Sequence, residues 1–115
     1  QSAIIHHGDA GRADTLADGM ATRVPDPTAL AMIRKGAARI VTVNDAEIGA
    51  AIGHYWRDTH NLAEGSGAAP LAAALKDKAL NRGRRVGLVL SGGNIEPELQ
   101  HKLEAAASAE GRVGV

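Results

Sequence analysis

Apolar residues Ile48, Ile52, Tyr55 and Trp56 return at intervals of three and four between more polar neighbours, the spacing of one helix face. Asn44 or Asp45 supplies the cap, and Glu47 stands three residues after Asn44, as in a capping box. A helix is therefore predicted from there to about His60-Asn61. Upstream, Pro25 and Pro27 break any continuing helix; a short helix then opens at Thr28, carries Ala29, Leu30, Met32 and Ile33, and closes at Lys35-Gly36. Downstream, an Ala/Leu stretch predicts a helix from about Ala69 to Leu80, stopped by Asn81-Arg82-Gly83. Glu98 to Ser108 predicts a last helix, cut short by Gly111. The period changes in two places. Arg39-Ile40-Val41-Thr42-Val43 is β-branched and predicts a strand. Val86-Gly87-Leu88-Val89-Leu90 is apolar on both faces, as expected of a buried parallel strand. Thr15 to Ala21 fits a short helix or a loop, and Gly8-Asp9-Ala10-Gly11 a turn.

Strands alternating with helices indicate the α/β class with a parallel sheet, here part of a three-layer fold. Two strands do not make a stable open sheet. The sheet is thus expected to be incomplete in this segment, its other strands coming from elsewhere.

Composition sharpens this. The chain of 115 residues is long enough for one small domain, yet it has no Phe, one Trp and one Tyr. Its core must rest on Leu, Ile, Val and Ala. Ala buries little area, and burial is worth about 25 cal/mol per Å². Such a chain suits close helix-on-sheet packing inside something larger. Thirteen basic and thirteen acidic residues give no net charge, so neither nucleic acid nor an anionic membrane is implied as a partner. The absence of Cys excludes disulfides and thiolate sites and fits a cytoplasmic protein. No apolar run approaches the ~20 residues of a membrane helix. The start, Gln1-Ser2-Ala3-Ile4-Ile5-His6-His7, has no signal-peptide pattern and no initiator Met, and reads as the inside of a longer sequence.

Three stretches carry candidate chemistry. Ser91-Gly92-Gly93-Asn94 leaves the carboxyl end of the second strand, where open α/β sheets place their ligands. Its glycines permit close approach of a flat ligand, and the Ser91 hydroxyl suits a ring nitrogen that need not be protonated. Glu64-Gly65-Ser66-Gly67-Ala68-Ala69 opens a helix with small residues that permit tight contact with a cofactor or a neighbouring helix, with Pro70 near its first turn. Such a start can also bind phosphate through free N–H groups, but no Gly-Lys-Ser/Thr follows, so it is not a P-loop. Thr15-Leu16-Ala17-Asp18-Gly19 could order a loop through Asp18 and leave the Gly19 backbone open. Taken singly, each is also a plain turn, cap or packing element.

His6-His7 would point to opposite faces of a strand, and His54 and His60 are six apart, so neither pair has metal-ligand spacing and no metal site is expected. Tyr55 and Trp56 read as core or interface anchors. Arg82, Arg84 and Arg85 lie at the wrong strand end for a ligand.

In combination the motifs are more specific. Thr-x-Ala-Asp-Gly, then Thr-Val-x-Asp-x-Glu-Ile from Thr42 to Ile48, Glu-x-x-Gly-Ala-Ala, and an apolar strand with Ser-Gly-Gly-Asn follow in order. This set resembles the threonine/serine dehydratases, fold-type II pyridoxal-phosphate enzymes to which serine racemase is related. The likeness runs from about Asp14 to Glu98. It implies pyridoxal 5'-phosphate as cofactor, a small amino acid as substrate and a homo-oligomer. It also implies that Ser91 bonds the pyridine nitrogen, that Glu64 lies beside the ring, that Gly19 lines the cleft through its backbone and that Asp18 orders the cleft.

The family's Schiff-base Lys, its Ser-x-Gly-Asn-His loop and its tetraglycine phosphate loop have no counterpart here. Lys35, Lys76, Lys78 and Lys102 stand in other contexts and read as solvated charges. The resemblance thus implies that residues 1–115 are a partial cofactor-binding domain, the C-terminal part of the catalytic region. On this reading it holds no catalytic residue and depends on the remainder of the same polypeptide. The expected activity of the whole is a threonine/serine ammonia-lyase. A racemase or another fold-type II lyase stays open, as does a non-catalytic truncated binding module.

Overall fold

The structure, a computed structural model, describes residues 15–98, 100, 101 and 105. The turn at 8–11, His6-His7, Lys102 and most of the last helix fall outside them; Glu98, Gln100, His101 and Ala105 are helical. Upstream of these, among the described residues, a 3-10 turn at Asp18–Met20 precedes the helices α1 (Pro27–Gly36), α2 (Asp45–His54), α3 (Gly65–Lys76) and α4 (Lys78–Asn81).

Helix α1 begins one residue earlier than its pattern predicts. Asp26 accepts from the Ala29 N–H at 2.9 Å, and Pro27 takes the first helical position, where its missing N–H costs nothing. Of its apolar residues only Leu30 is buried.

Helix α2 has the predicted capping box. The Glu47 N–H donates to Asn44 Oδ1 at 2.9 Å, and the Asn44 N–H donates back to Glu47 Oε2 at 2.8 Å. Ile48 and Ile52 are buried as expected; Tyr55 is half-buried against the core, and Trp56 remains 38% exposed. The helix passes into a π turn, Tyr55–Thr59, which ends at His60 with a left-handed φ of 55°. On that turn Arg57 and His54 both contact Asp58 and hold its carboxyl below the usual range.

Helix α3 departs most from expectation. It starts at Gly65, not near Ala69, and Pro70 falls in its second turn. Glycine is disfavoured inside a helix by about 1 kcal/mol, a deficit that burial can override. Gly65, Gly67, Ala68, Ala69 and Ala72 are all buried. These small residues let α3 lie close against its neighbours. The core is the product: Ala17, Ile48, Ala51, Ile52, Ala63, Ala68, Ala69 and Ala72, flanked by Leu16, Val43, Tyr55, Leu71 and Ile95.

The two predicted strands carry no ladder among the described residues. Parallel strands bond to neighbours reached through long crossovers, and a lone pair is not self-sustaining. Residues 86–90, expected to be buried, are all exposed, Val89 the most at 73%, although Val86 and Leu88 border a groove along α3 and Leu90 lies against Gly67. A stop at Gly83 (φ 74°) separates α4 from this stretch.

Lys76 ties the end of α3 to the start of α2. Its ammonium donates to the Thr42 carbonyl at 2.9 Å and pairs with Glu47 at 3.0 Å. The Asn44 N–H, and then Lys76, hold the Glu47 carboxyl below its usual range. A group whose folded value is depressed stabilises the fold above the unfolded value and loses that contribution as pH falls through the folded one. The expected result is that Glu47→Gln flattens the acid limb of the stability profile, read by circular dichroism during acid titration; an unchanged limb would remove Glu47 from the acid response.

Candidate functional site

A cavity of about 450 Å³ lies where the three motifs meet. Asp18 and Gly19 come from the first, Glu64 and Ser66 from the second and Asn94 from the third. Each arrives for a separate local reason. Ala17 is buried in the core, and its neighbours on both sides, Thr15 and Leu16 before it and Asp18 and Gly19 after it, line the cavity. Glu64 takes the cap position of α3 with extended backbone, and its side chain does not cap the helix. The carboxylate therefore turns toward the cavity. The Glu64 N–H donates to the Gly92 carbonyl at 3.0 Å, which fixes the third motif against the second.

Close approach is built from missing side chains. A Cβ on Gly19 would lie 2.6 Å from Ser66 Oγ, and one on Gly92 would lie 2.6 Å from Glu64 Oε1. The Glu64 carboxylate thus sits where Gly19 and Gly92 leave room. Ser66 Oγ is buried without a hydrogen-bond partner among the described residues. Such a group is uncommon in a folded protein and marks a place where a partner belongs.

Of the residues expected at the site, Asp18, Gly19 and Glu64 line the cavity. Ser91 is exposed and lies outside the cavity wall, next to Gly92. Two contributors were missed by the motifs. Ser66 was read only as a small residue. Asp45 offers the sequence a possible cap and the Asp of the Thr-Val-x-Asp-x-Glu-Ile motif, with no role in the site; in the structure it receives the Thr15 hydroxyl on Oδ1 and the Leu16 N–H on Oδ2 at 3.2 Å. No sequence signal joins positions 30 residues apart; only tertiary structure does.

The wall suits one end of pyridoxal phosphate. A flat ring can lie against Gly19, Glu64 can serve a ring substituent, and the orphan Ser66 hydroxyl can bond. The charged side chains of the wall, Asp18, Glu64 and Glu96, are all carboxylates and would repel a phosphate. The residues present therefore fit the ring; toward the phosphate the carboxylates oppose the start of α3, which brings Gly65 and Ser66 into the same wall.

Comparison with known proteins agrees. The family model described as pyridoxal-phosphate dependent enzyme matches residues 1–92. An L-threonine ammonia-lyase of Thermotoga maritima is 37% identical over 97 residues, covering 82% of this chain and 24% of that protein. An L-threonine ammonia-lyase of Geobacter sulfurreducens is 40% identical over 82 residues, covering 71% of this chain and 20% of that protein. A serine racemase of Dictyostelium discoideum is 32% identical over 97 residues, covering 83% of this chain and 30% of that protein. These matches define a class of enzymes dependent on a cofactor. The chain belongs to the family of pyridoxal-phosphate dependent enzymes, in its α/β fold-type II branch with the threonine/serine dehydratases. It spans about a quarter of the length of the curated relatives it matches.

Proposed function

We propose that this chain forms one wall of the cofactor cleft in a pyridoxal-phosphate-dependent ammonia-lyase. Its substrate is a small β-hydroxy amino acid, L-threonine or L-serine, which loses water to give an enamine; a water molecule then hydrolyses the imine tautomer to a 2-oxo acid and ammonia. The observation that carries this reading is the meeting of three motifs, separated in sequence, at one cavity that fits a cofactor ring. The bound cofactor supplies an electron sink for charge developing at the substrate α-carbon. Gly19 supports the ring with its backbone, Glu64 serves a ring substituent, and Asp18 orders the cleft. Ser91, exposed beside Gly92 and outside the cavity wall, would donate to or accept from the pyridine nitrogen, as the family resemblance implies. As a neutral partner it leaves that nitrogen less cationic than a carboxylate would, which suits elimination.

The proton-moving Lys, the phosphate loop, the substrate-reading residues and the rest of the parallel sheet are assigned to other parts of the same polypeptide, which assembles as a homo-oligomer in the cytoplasm. No described helix is long and apolar enough to cross a membrane. The likeness to a serine racemase keeps racemisation as the second reading.

The test is to isolate the protein at its native length, add pyridoxal phosphate and follow 2-oxo acid formation from L-threonine and L-serine. Elimination with either supports the lyase; D-serine without 2-oxo acid supports the racemase; neither product, with no cofactor uptake, leaves a non-catalytic module. In the active protein, Ser91→Ala should weaken cofactor binding about five-fold, the worth of one neutral hydrogen bond near 1 kcal/mol. Unchanged affinity would remove Ser91 from the ring nitrogen.

A further inference from the structure

A carboxylate from α2 holds the loop that carries Asp18 and Gly19. Asp45 occupies the first position of α2, yet Asn44 and Glu47 already complete the cap. Both Asp45 oxygens are committed to the loop instead. Oδ1 accepts the Thr15 hydroxyl and Oδ2 accepts the Leu16 N–H at 3.2 Å. Thr15 Oγ1 accepts in turn from the Ala17 N–H at 3.2 Å, closing a turn at the base of the loop. Ala17 then enters the core, 2% exposed, while Thr15 and Leu16 before it and Asp18 and Gly19 after it line the cavity; Asp45 does not.

At the far end of the loop there is no slack. Gly19 approaches Ser66 so closely that a Cβ would lie 2.6 Å from Oγ. The loop is therefore fixed at its base by Asp45, in its middle by Ala17 and at its tip by contact with Ser66. The Asp45–Thr15 bond is itself exposed to water. Exposed hydrogen bonds add little to global stability, so this one sets position more than it holds the fold.

We propose that Asp45 is a positioning residue. Acting through Thr15 and Leu16, it sets the register of the 15–19 loop and so the place at which the Gly19 backbone meets the ligand. The inference rests on the reading of the cavity as the cofactor cleft. Asp45 touches no ligand; its effect passes entirely through the loop.

The test uses the protein at its native length, stripped of cofactor and titrated with pyridoxal phosphate, with binding followed by cofactor fluorescence. Thr15→Val removes the hydroxyl and should weaken binding about ten-fold, or 1.4 kcal/mol. Thr15→Ser keeps the hydroxyl and should stay near wild type. Asp45→Ala removes the Leu16 bond as well and lies outside the cavity wall, so it should weaken binding at least as much as Thr15→Val, and the double variant should be no weaker than the worse single one, because both break one device. The melting temperature of cofactor-free Thr15→Val should stay near that of the wild type, which separates positioning from general loosening. Wild-type affinity in Thr15→Val overturns the inference, as do additive losses in the double variant. A wild-type protein that takes up no cofactor overturns the cleft reading and this inference together; binding by wild type with indifferent variants overturns this inference alone.

Discussion

Replacing Gly67 with alanine should destabilise the protein by about 2 kcal/mol, although helix propensity alone favours the change by about 1 kcal/mol. Gly67 is the third residue of α3, and a Cβ there would lie 2.6 Å from the Gly92 carbonyl oxygen and 3.1 Å from Leu90 Cδ1. The obstacle is backbone, which cannot rotate aside. The Gly92 oxygen also accepts the Glu64 N–H at 3.0 Å, so moving it breaks a bond worth about 1 kcal/mol. Overpacking of this kind costs about 1–3 kcal/mol. Together these outweigh the gain in propensity. Urea unfolding decides the sign: a variant more stable than wild type would mean that α3 and the 91–94 turn are not in contact in solution. Because that turn carries the third motif, cofactor affinity should fall with stability.

Gly92→Ala should separate the two effects. Its Cβ would lie 2.6 Å from Glu64 Oε1 and 3.0 Å from Glu64 Cδ, the far end of a flexible side chain. Glu64 can swing away, so stability should change by less than about 1 kcal/mol. The carboxylate then leaves its place in the cavity. Hydrogen bonds to a charged group are worth about 1.5–3 kcal/mol, so cofactor binding should weaken by about 10- to 100-fold. Titration of the cofactor-free protein, with melting temperature measured in parallel, reads both. A variant as unstable as Gly67→Ala, whose folded fraction still binds normally, would take Glu64 out of the ligand's surroundings.

Local chemistry was legible in the sequence wherever a residue acts on close neighbours. Asn44 and Glu47 announce the start of α2, and Ile48 and Ile52 announce its buried face, because capping and helical spacing are short-range. The start of α3 was not legible. Glycine lowers helix propensity, and only the burial of Gly65 and Gly67 against other elements explains why the helix begins there. Residues 39–43 and 86–90 have strand composition, but a ladder needs partner strands, and none pairs with them among the described residues. The cavity was legible as three motifs in order, without their geometry. Asp18, Gly19 and Glu64 line it; the Asp45 tie and the orphan Ser66 depend on distances that no local pattern encodes.

The alanine core between α2 and α3 also shapes how this chain can change over generations. Ala51, Ala63 and Ala68 have no exposed surface. Most of the single-base changes that replace an alanine give a larger side chain: serine, valine, threonine, proline, and aspartate or glutamate. Shrinkage to glycine removes one methyl, whereas each enlargement pushes two closely packed helices apart at about 1–3 kcal/mol. Tolerance at these positions is set by volume before polarity, so serine should persist there where valine does not. Sequence drift in this region is thereby channelled to the loops and to the surface of α1.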